Sequence, residues 1–425
     1  MKRTTALALS TLLTGLAAFA AQPAIADTAA APAAASTADS TVQCESTPQT
    51  MAYYRTWRDV TVPQSANSNL PDPNVTRMTD LPAEIDVAMV FDAGATAGTD
   101  YWPTLRDTYV PELHARGTKV VYTLWIDRLA KADIPLTQEA YRAYAQELVD
   151  TFVTPYGLDG IDIDVESYPQ GDDLTRAIGV FNALGELIGP KSGTDRIFIY
   201  DTNQTGDTPL FEAVAGNISY VLLQAYGRGT AGMQSTWETF ADDIAPCRFL
   251  PGFSFYEEQD RTHWGDAEGI YDPATAPSST AYQYAVWQPE VGTKGGFFAY
   301  AVDRDGKVFG DDSITKTDFT WMKNLSRVQD EAAGVTPEPP AAPTAAIDQD
   351  RVTLRGTGVA GAEISAVTSG PGHTPAAATA TVASDGTWNV TLDRKVTRPQ
   401  TVAVTQSVEG TASEAVSVRV RPGNS

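Results

Sequence analysis

The sequence predicts a (β/α)8 barrel followed by a small all-β sandwich, and three observations carry that expectation. Eight strand-like runs, at 52–60, 85–93, 119–127, 158–167, 196–203, 218–227, 249–257 and 296–303, alternate with helix-like segments. Several runs are almost continuously apolar, such as 85–91 and 220–223, as strands covered on both faces must be. Past residue 344 the pattern changes to short runs rich in Val, Thr and Ala between glycine-bearing turns. A doubly wound open sheet is the competing α/β architecture, but no glycine-rich phosphate loop follows the first strand.

In chain order, residues 1–26 have the form of a secretory leader. Lys2 and Arg3 supply the charge, Ala6–Ala21 the apolar run, and Ala24-Ile25-Ala26 a small-x-small cleavage site. The run is too short and too rich in small residues to span a membrane, and no later segment strings 18 apolar residues together. The expected product is therefore exported. Residues 27–46 are low-complexity and expected to be a disordered tail. The barrel is expected over 47–330. Its longest helical patterns are 137–154, with Tyr141, Tyr144, Leu148 and Phe152 on one face, and 173–188, with Leu174, Ile178, Phe181, Leu184 and Ile188. Residues 100–115 and 237–244 are shorter examples. Residues 331–344, with Pro337, Pro339, Pro340 and Pro343, read as a semi-rigid linker. In the sandwich, 345–425, Trp388 is expected in the core.

Composition narrows the chemistry. The formal net charge of −23 argues against nucleic acid or an anionic membrane as partner, and removing the leader makes the chain more acidic still. Cys44 and Cys247 are the two cysteines of an exported chain and are expected to form one disulfide. Both precede strands, so a bridge would lie at the bottom of the barrel. With His114, His263 and His373 as the three histidines, a multi-histidine metal site or a histidine-based nucleophile triad has little to work with. That leaves carboxylates.

Residues 158–167, Leu-Asp-Gly-Ile-Asp-Ile-Asp-Val-Glu-Ser, concentrate them. On a strand, Asp162, Asp164 and Glu166 share one face and Ile161, Ile163 and Val165 the other. The apolar face calls for a helical layer. On the other face the three acids stand roughly 6–7 Å apart, so one carboxyl is expected to have a raised pKa, as a general acid requires. A calcium loop would set its acids in a glycine turn without β-branched residues between them. Barrel enzymes react at the C-terminal strand ends, which puts Glu166 at the rim, Asp164 one layer down and Asp162 deeper. The other strand ends add Arg55, Trp57, Asp92, Trp125, Asp127, Asp201, Asn203, Gln224, Tyr226, Tyr256, Glu257 and Tyr300. As a set they suit a carbohydrate cleft, because aromatics stack on sugar faces and carboxylates bind hydroxyls.

Asp159-Gly-Ile-Asp162-Ile-Asp164-Val-Glu166 resembles the DGxDxDxE signature of glycoside hydrolase family 18. Residues 53–59, 252–258 and 295–306 are similar to bacterial endo-β-N-acetylglucosaminidases of the Endo F and Endo S types, and the resemblance covers roughly 50–328. The last module is similar to bacterial Ig-like domains. Where chitinases of the family end strand eight with tryptophan, this chain has Phe298 and Tyr300, and their Tyr-Asp on strand six becomes Gln224-Ala-Tyr226. No leucine-rich repeats of the kind Endo S-type enzymes carry are seen.

The resemblance implies a TIM barrel that hydrolyses the core between the two GlcNAc residues of N-linked glycans. It implies Glu166 as acid and then base, Asp164 orienting the substrate acetamide, Tyr226 and Gln224 holding it, and Asp162 tuning Asp164. Arg55, Trp57, Trp125, Asp201, Asn203, Tyr256, Glu257 and Tyr300 are the expected glycan contacts. No metal or organic cofactor is implied, and a monomer is expected. A chitinase, or a non-catalytic sugar-binding protein on the same barrel, are the alternatives.

Overall fold

Eight parallel strands close on themselves in the computed structural model, which describes residues 44–45, 47–63, 73–94, 96–259, 261, 263–335, 339–370, 374–397, 400–408 and 411–419. They are β1 (Gln49–Arg55), β2 (Val87–Phe91), β3 (Lys119–Trp125), β4 (Gly160–Val165), β5 (Ile197–Thr202), β6 (Tyr220–Gln224), β7 (Phe249–Ser254) and β8 (Gly296–Tyr300). Each pairs with the next, and β8 returns to β1 through Gln49↔Gly296 and Met51↔Phe298. Seven of the eight expected runs contain their strand whole, while β1 begins three residues before the expected 52. All eight strands end short of the expected run because its polar C-terminal residues leave the ladder. β1 ends at Arg55 and a 3-10 turn, Thr56–Arg58, takes over. The expected leader, 1–26, lies outside the described residues.

Alternation along the strands sorts the side chains. Met51, Tyr53, Val87, Met89, Val121, Ile199, Leu222 and Phe298 fill the barrel interior. Their neighbours Ala52, Tyr54, Ala88, Val90, Val120, Ile161, Ile163 and Val165 face outward into the larger core. The helices cover that outer face: α1 (Tyr101–Thr104), α2 (Val110–His114), α3 (Ile126–Ala130), α4 (Gln138–Phe152), α5 (Gly171–Gly185), α6 (Pro209–Val214), α7 (Met233–Glu238), α8 (Thr280–Val286) and α9 (Thr320–Ala332). Thr137 caps α4 by accepting the Ala140 N–H, and Phe181 of α5 stacks on Phe198 of β5 at 4.6 Å. The single helix expected over 100–115 is interrupted by a π-helical turn, Leu105–Tyr109. Pro111 has no N–H to donate one turn back, and the wider turn absorbs the gap. α7 begins four residues before the expected 237 and stops at Glu238, where Thr239 turns its hydroxyl back to the Thr236 carbonyl.

Two glycines let neighbouring strands approach at opposite sides of the barrel. A Cβ on Gly160 would stand 1.8 Å from the Ile197 carbonyl oxygen, and one on Gly296 would stand 1.9 Å from that of Gln49. β4 and β8 can therefore start only with glycine.

At the base, Cys44 and Cys247 are joined, Cα–Cα 5.7 Å, as the sequence led one to expect. A hollow of about 360 Å³ beside the bridge is walled by Cys44, Glu45 and Cys247, and also by Ala333 and Val335, just past α9. The C-terminal module is built from a sheet of β9 (Ala346–Ile347), β10 (Thr353–Thr357) and β13 (Thr387–Thr391). A second sheet holds β11 (Glu363–Ser369), β12 (Ala377–Thr381), β14 (Thr401–Val408), β15 (Thr411–Ala412) and β16 (Val416–Arg419). Leu354, Ile364, Ala366, Trp388, Val402 and Val404 meet between them, which puts Trp388 in the core.

The bridge closes a loop of 203 residues. Exchanging both cysteines for serine (Cys44→Ser with Cys247→Ser) is expected to lower unfolding stability by about 2–5 kcal/mol while kcat stays unchanged. Calorimetry and a turnover assay on the same preparation check both halves.

Candidate active site

On the inner faces of β4 and β5 the apolar barrel filling gives way to acids. Asp162 is fully buried, and its Oδ2 accepts the Tyr53 hydroxyl at 2.8 Å and the Thr123 hydroxyl at 2.9 Å. Its Oδ1 has no hydrogen-bond partner. Asp164, one pleat higher and 2% exposed, accepts from Gln224 Nε2 at 3.1 Å. Glu166 stands one residue past the strand and is exposed to the mouth. Asp201 of β5 lies in register beside Asp164, and its Oδ2 accepts the same Gln224 amide at 2.8 Å. Gln224 thus commits its amide nitrogen to two carboxyls and leaves Oε1 as its free end.

Hydroxyls and one amide are weak compensation for buried negative charge. Burial pushes Asp162 up to about 7 against the pull of the Tyr53 and Thr123 hydroxyls. Burial, then Glu166 and Asp162, push Asp164 up to about 8. Asp201 is raised well above the usual range by burial and then by Asp164 and Asp162. A single raised carboxyl was the expectation; the structure has at least these three, because burial is the leading cause and all three are buried. Tyr53 and Tyr226 are raised as well, chiefly by burial, and remain neutral donors.

Two hollows meet over these groups. The central one, about 620 Å³, has Tyr53, Phe91, Tyr226 and Tyr300 as aromatic walls, Gln224 and Asp201 in its floor, and Asn203, Arg228 and Trp264 at its margin. The lateral one, about 790 Å³, runs out over Asp92, Asp127, Arg128, Lys131 and Tyr144. Trp125, Asp164 and Glu166 border both. Trp125 and Trp264 are 45% and 49% exposed, unusual for tryptophan. Among the described residues no group of three or more His, Cys, Asp or Glu side chains is arranged to hold a metal ion.

Four of the expected contacts stand behind the wall instead of in it. Arg55 is 1% exposed, donating to both oxygens of Asp303 at 2.9 and 2.6 Å, to Glu258 and to Glu257. Three carboxylates around one guanidinium satisfy its donors and leave none for a ligand. Glu257 bridges Arg55 to the Tyr300 hydroxyl at 3.0 Å. Tyr256 is buried against His263 and Phe309. Trp57 is half-buried, packed on Phe91 with the Arg55 guanidinium 5.7 Å above its ring. This layer sets the orientation of Tyr300 and Phe91. Trp125, Asp201, Asn203, Gln224, Tyr226 and Tyr300 do border the hollow.

Tyr53, Thr123, Phe91, Arg228 and Trp264 are site residues that the sequence reading passed over. Tyr53 and Thr123 were reachable, since counting inward-facing positions puts Thr123 opposite Asp162. Trp264 is in a loop, where no periodicity points.

Comparison with known proteins finds relatives for both modules. Residues 52–299 match the family model described as the endo-β-N-acetylglucosaminidase EndoS TIM-barrel domain, and 339–421 match the bacterial Ig domain. Endo-β-N-acetylglucosaminidase F2 of Elizabethkingia meningoseptica is 41% identical over 280 residues, 65% of this chain and 80% of that one. EndoS of Streptococcus pyogenes serotype M1 is 35% identical, and the alignment spans 33% of its length. The crystal structure of an endo-β-N-acetylglucosaminidase from Cordyceps militaris superposes with a TM-score of 0.60 at 43% identity, covering 69% of this chain and 92% of that one. A variant of that protein, with an aspartate and the glutamate two positions on changed to their amides, was solved with fucosyl-N-acetylglucosamine-Asn.

Folding raises Asp164 from about 4 in the unfolded chain to about 8. The folded state therefore holds the extra proton, and this group costs stability increasingly as pH rises between those values. Asp164→Asn should flatten the fall of Tm between pH 5 and pH 8 relative to wild type. Parallel Tm–pH curves for the two proteins would contradict the burial argument.

Proposed function

Since the chain belongs to the EndoS-type endo-β-N-acetylglucosaminidase TIM barrels of glycoside hydrolase family 18 and is a glycoside hydrolase, we propose that it cleaves the GlcNAc-β1,4-GlcNAc core of N-linked glycans. The observation that carries this reading is the meeting of two hollows on Trp125, Asp164 and Glu166. An internal glycosidic bond needs room on both sides of its proton donor, and the floor beside that donor offers Gln224 and Tyr226 to an acetamide.

Glu166 protonates the bridging oxygen as the bond to C1 breaks. The acetamide oxygen of the same sugar attacks C1 from the opposite face and closes an oxazolinium ring, the substrate-assisted route of this family. An attached nucleophile gains from proximity. Tyr226 holds the acetamide carbonyl, and Gln224 lies beside it. Asp164 orients the N–H. Its pKa in the empty cleft is raised by burial and neighbouring acids, so positive charge developing on the ring favours its ionised form. Asp162, with Oδ1 unpartnered, tunes that change. Glu166 then takes a proton from water, whose oxygen reopens the ring at C1, and two inversions leave net retention.

The leader-like N-terminus and the disulfide support secretion, the chain acting as a monomer and the Ig-like module as a spacer. Glu166→Gln is expected to lower kcat on a biantennary glycoprotein by at least about 10²-fold with Tm unchanged, and Asp164→Ala to slow ring closure. Glycan release is followed by mass spectrometry, with chitin oligomers as the contrasting substrate. Preferred cleavage of chitin, or full activity of the Glu166 variant, would refute the assignment.

A further inference from the structure

Tyr226 carries the proposed acetamide contact from a position that the sheet no longer supports. β6 ends at Gln224, and Gly227 turns away with φ +69°. Two side chains grip the backbone on either side of Tyr226 instead. Tyr284 of α8 donates its hydroxyl to the Ala225 carbonyl at 2.6 Å. Asp266, fully buried in the connection between β7 and α8, accepts the Gly227 N–H on Oδ1 at 2.9 Å. Its Oδ2 accepts the N–H of Ser254, the last residue of β7, at 3.2 Å. The Asp266 carbonyl in turn accepts the Ala281 N–H in the first turn of α8.

The same connection delivers Trp264, whose ring centroid lies 6.3 Å from that of Tyr226. A Cβ on Gly227 would come within 3.3 Å of the indole, so turn and loop touch. Two backbone N–H groups converge on Asp266, and a carboxylate is the side chain that turns an acceptor to each. An asparagine in its place would aim an NH2 at one of them.

We infer that Asp266 is a positioning residue that clasps the Ala225–Gly227 turn to the end of β7 and so holds Tyr226 and Trp264 as one wall of the cleft. The inference rests on the proposed role of Tyr226. Loosening the clasp misplaces the Tyr226 hydroxyl without removing it, and a misplaced contact to an attacking group is felt in kcat.

The test measures kcat and KM for glycan release from a biantennary glycoprotein by Asp266→Asn, Tyr226→Phe and the double variant. The expected result is a loss of about 10-fold in kcat for Asp266→Asn, with KM within about 2-fold and a further loss below about 2-fold when Tyr226 is already Phe. Tyr284→Phe, which releases the turn from its other side, should show the same non-additivity and serves if Asp266→Asn does not fold. Losses that multiply in the double variant, or wild-type kcat in the single one, would overturn the clasp while wild-type turnover still upholds the assigned reaction. A wild type that releases no glycan refutes that reaction and the role of Asp266 in it.

Discussion

The burial of Asp162, Asp164 and Asp201 among neutral donors is the constraint on which the rest of the site depends. A barrel interior is a poor solvent for charge, and a nearby cation would relieve the strain by drawing these carboxyls down. The chain keeps one buried cation at the end of β1 out of play. Arg55 springs from the end of β1, but Asp303, Glu258 and Glu257 enclose it one layer behind the wall. Its charge is spent there, and what reaches the cleft is the orientation of Tyr300. The acids are left raised, which suits the proposed role of Asp164 beside positive charge that develops on a reacting sugar.

Period-two alternation made much of this legible. Ile161, Ile163 and Val165 had to face helices if Asp162 and Asp164 faced the interior, and β4 obeys. Alternation holds while the ladder holds, and it fails at strand ends, where the chemistry sits. Arg55, Tyr256 and Glu257 occupy the same kind of strand-end position as Asn203 and Tyr226. Nothing local distinguishes those that turn into the cleft from those that turn behind it, because the choice is made by partners on other elements, as for Arg55 with Asp303, 248 positions on. Trp264 was illegible for a different reason: a loop without periodicity places it. The count of raised carboxyls is not legible from the charge on one strand, because burial acts on Asp162 and Asp164 of β4 and on Asp201 of β5 alike.

The site is therefore stratified. The sheet itself fixes Asp162 and Asp164, registers fix Gln224 and Asp201, and connections fix Tyr226 and Trp264. Precision in the last layer comes from side chains that seize backbone, such as Tyr284 on Ala225 and Asp266 on Gly227. Hydrogen bonds to the main chain hold position more firmly than packing on a side chain that can change rotamer.

The hollow at the base has a wider meaning. Cys44 and Val335 share it, so the chain enters and leaves the barrel within one small area, at the end of the strands remote from Glu166. Among the described residues, the loops that follow the strands edge the mouth where Glu166 stands, and both links of the barrel lie at the other end. The stapled base is also the natural place to attach the enzyme to a support or a fusion partner, since a load hung there leaves the approach to the cleft unobstructed.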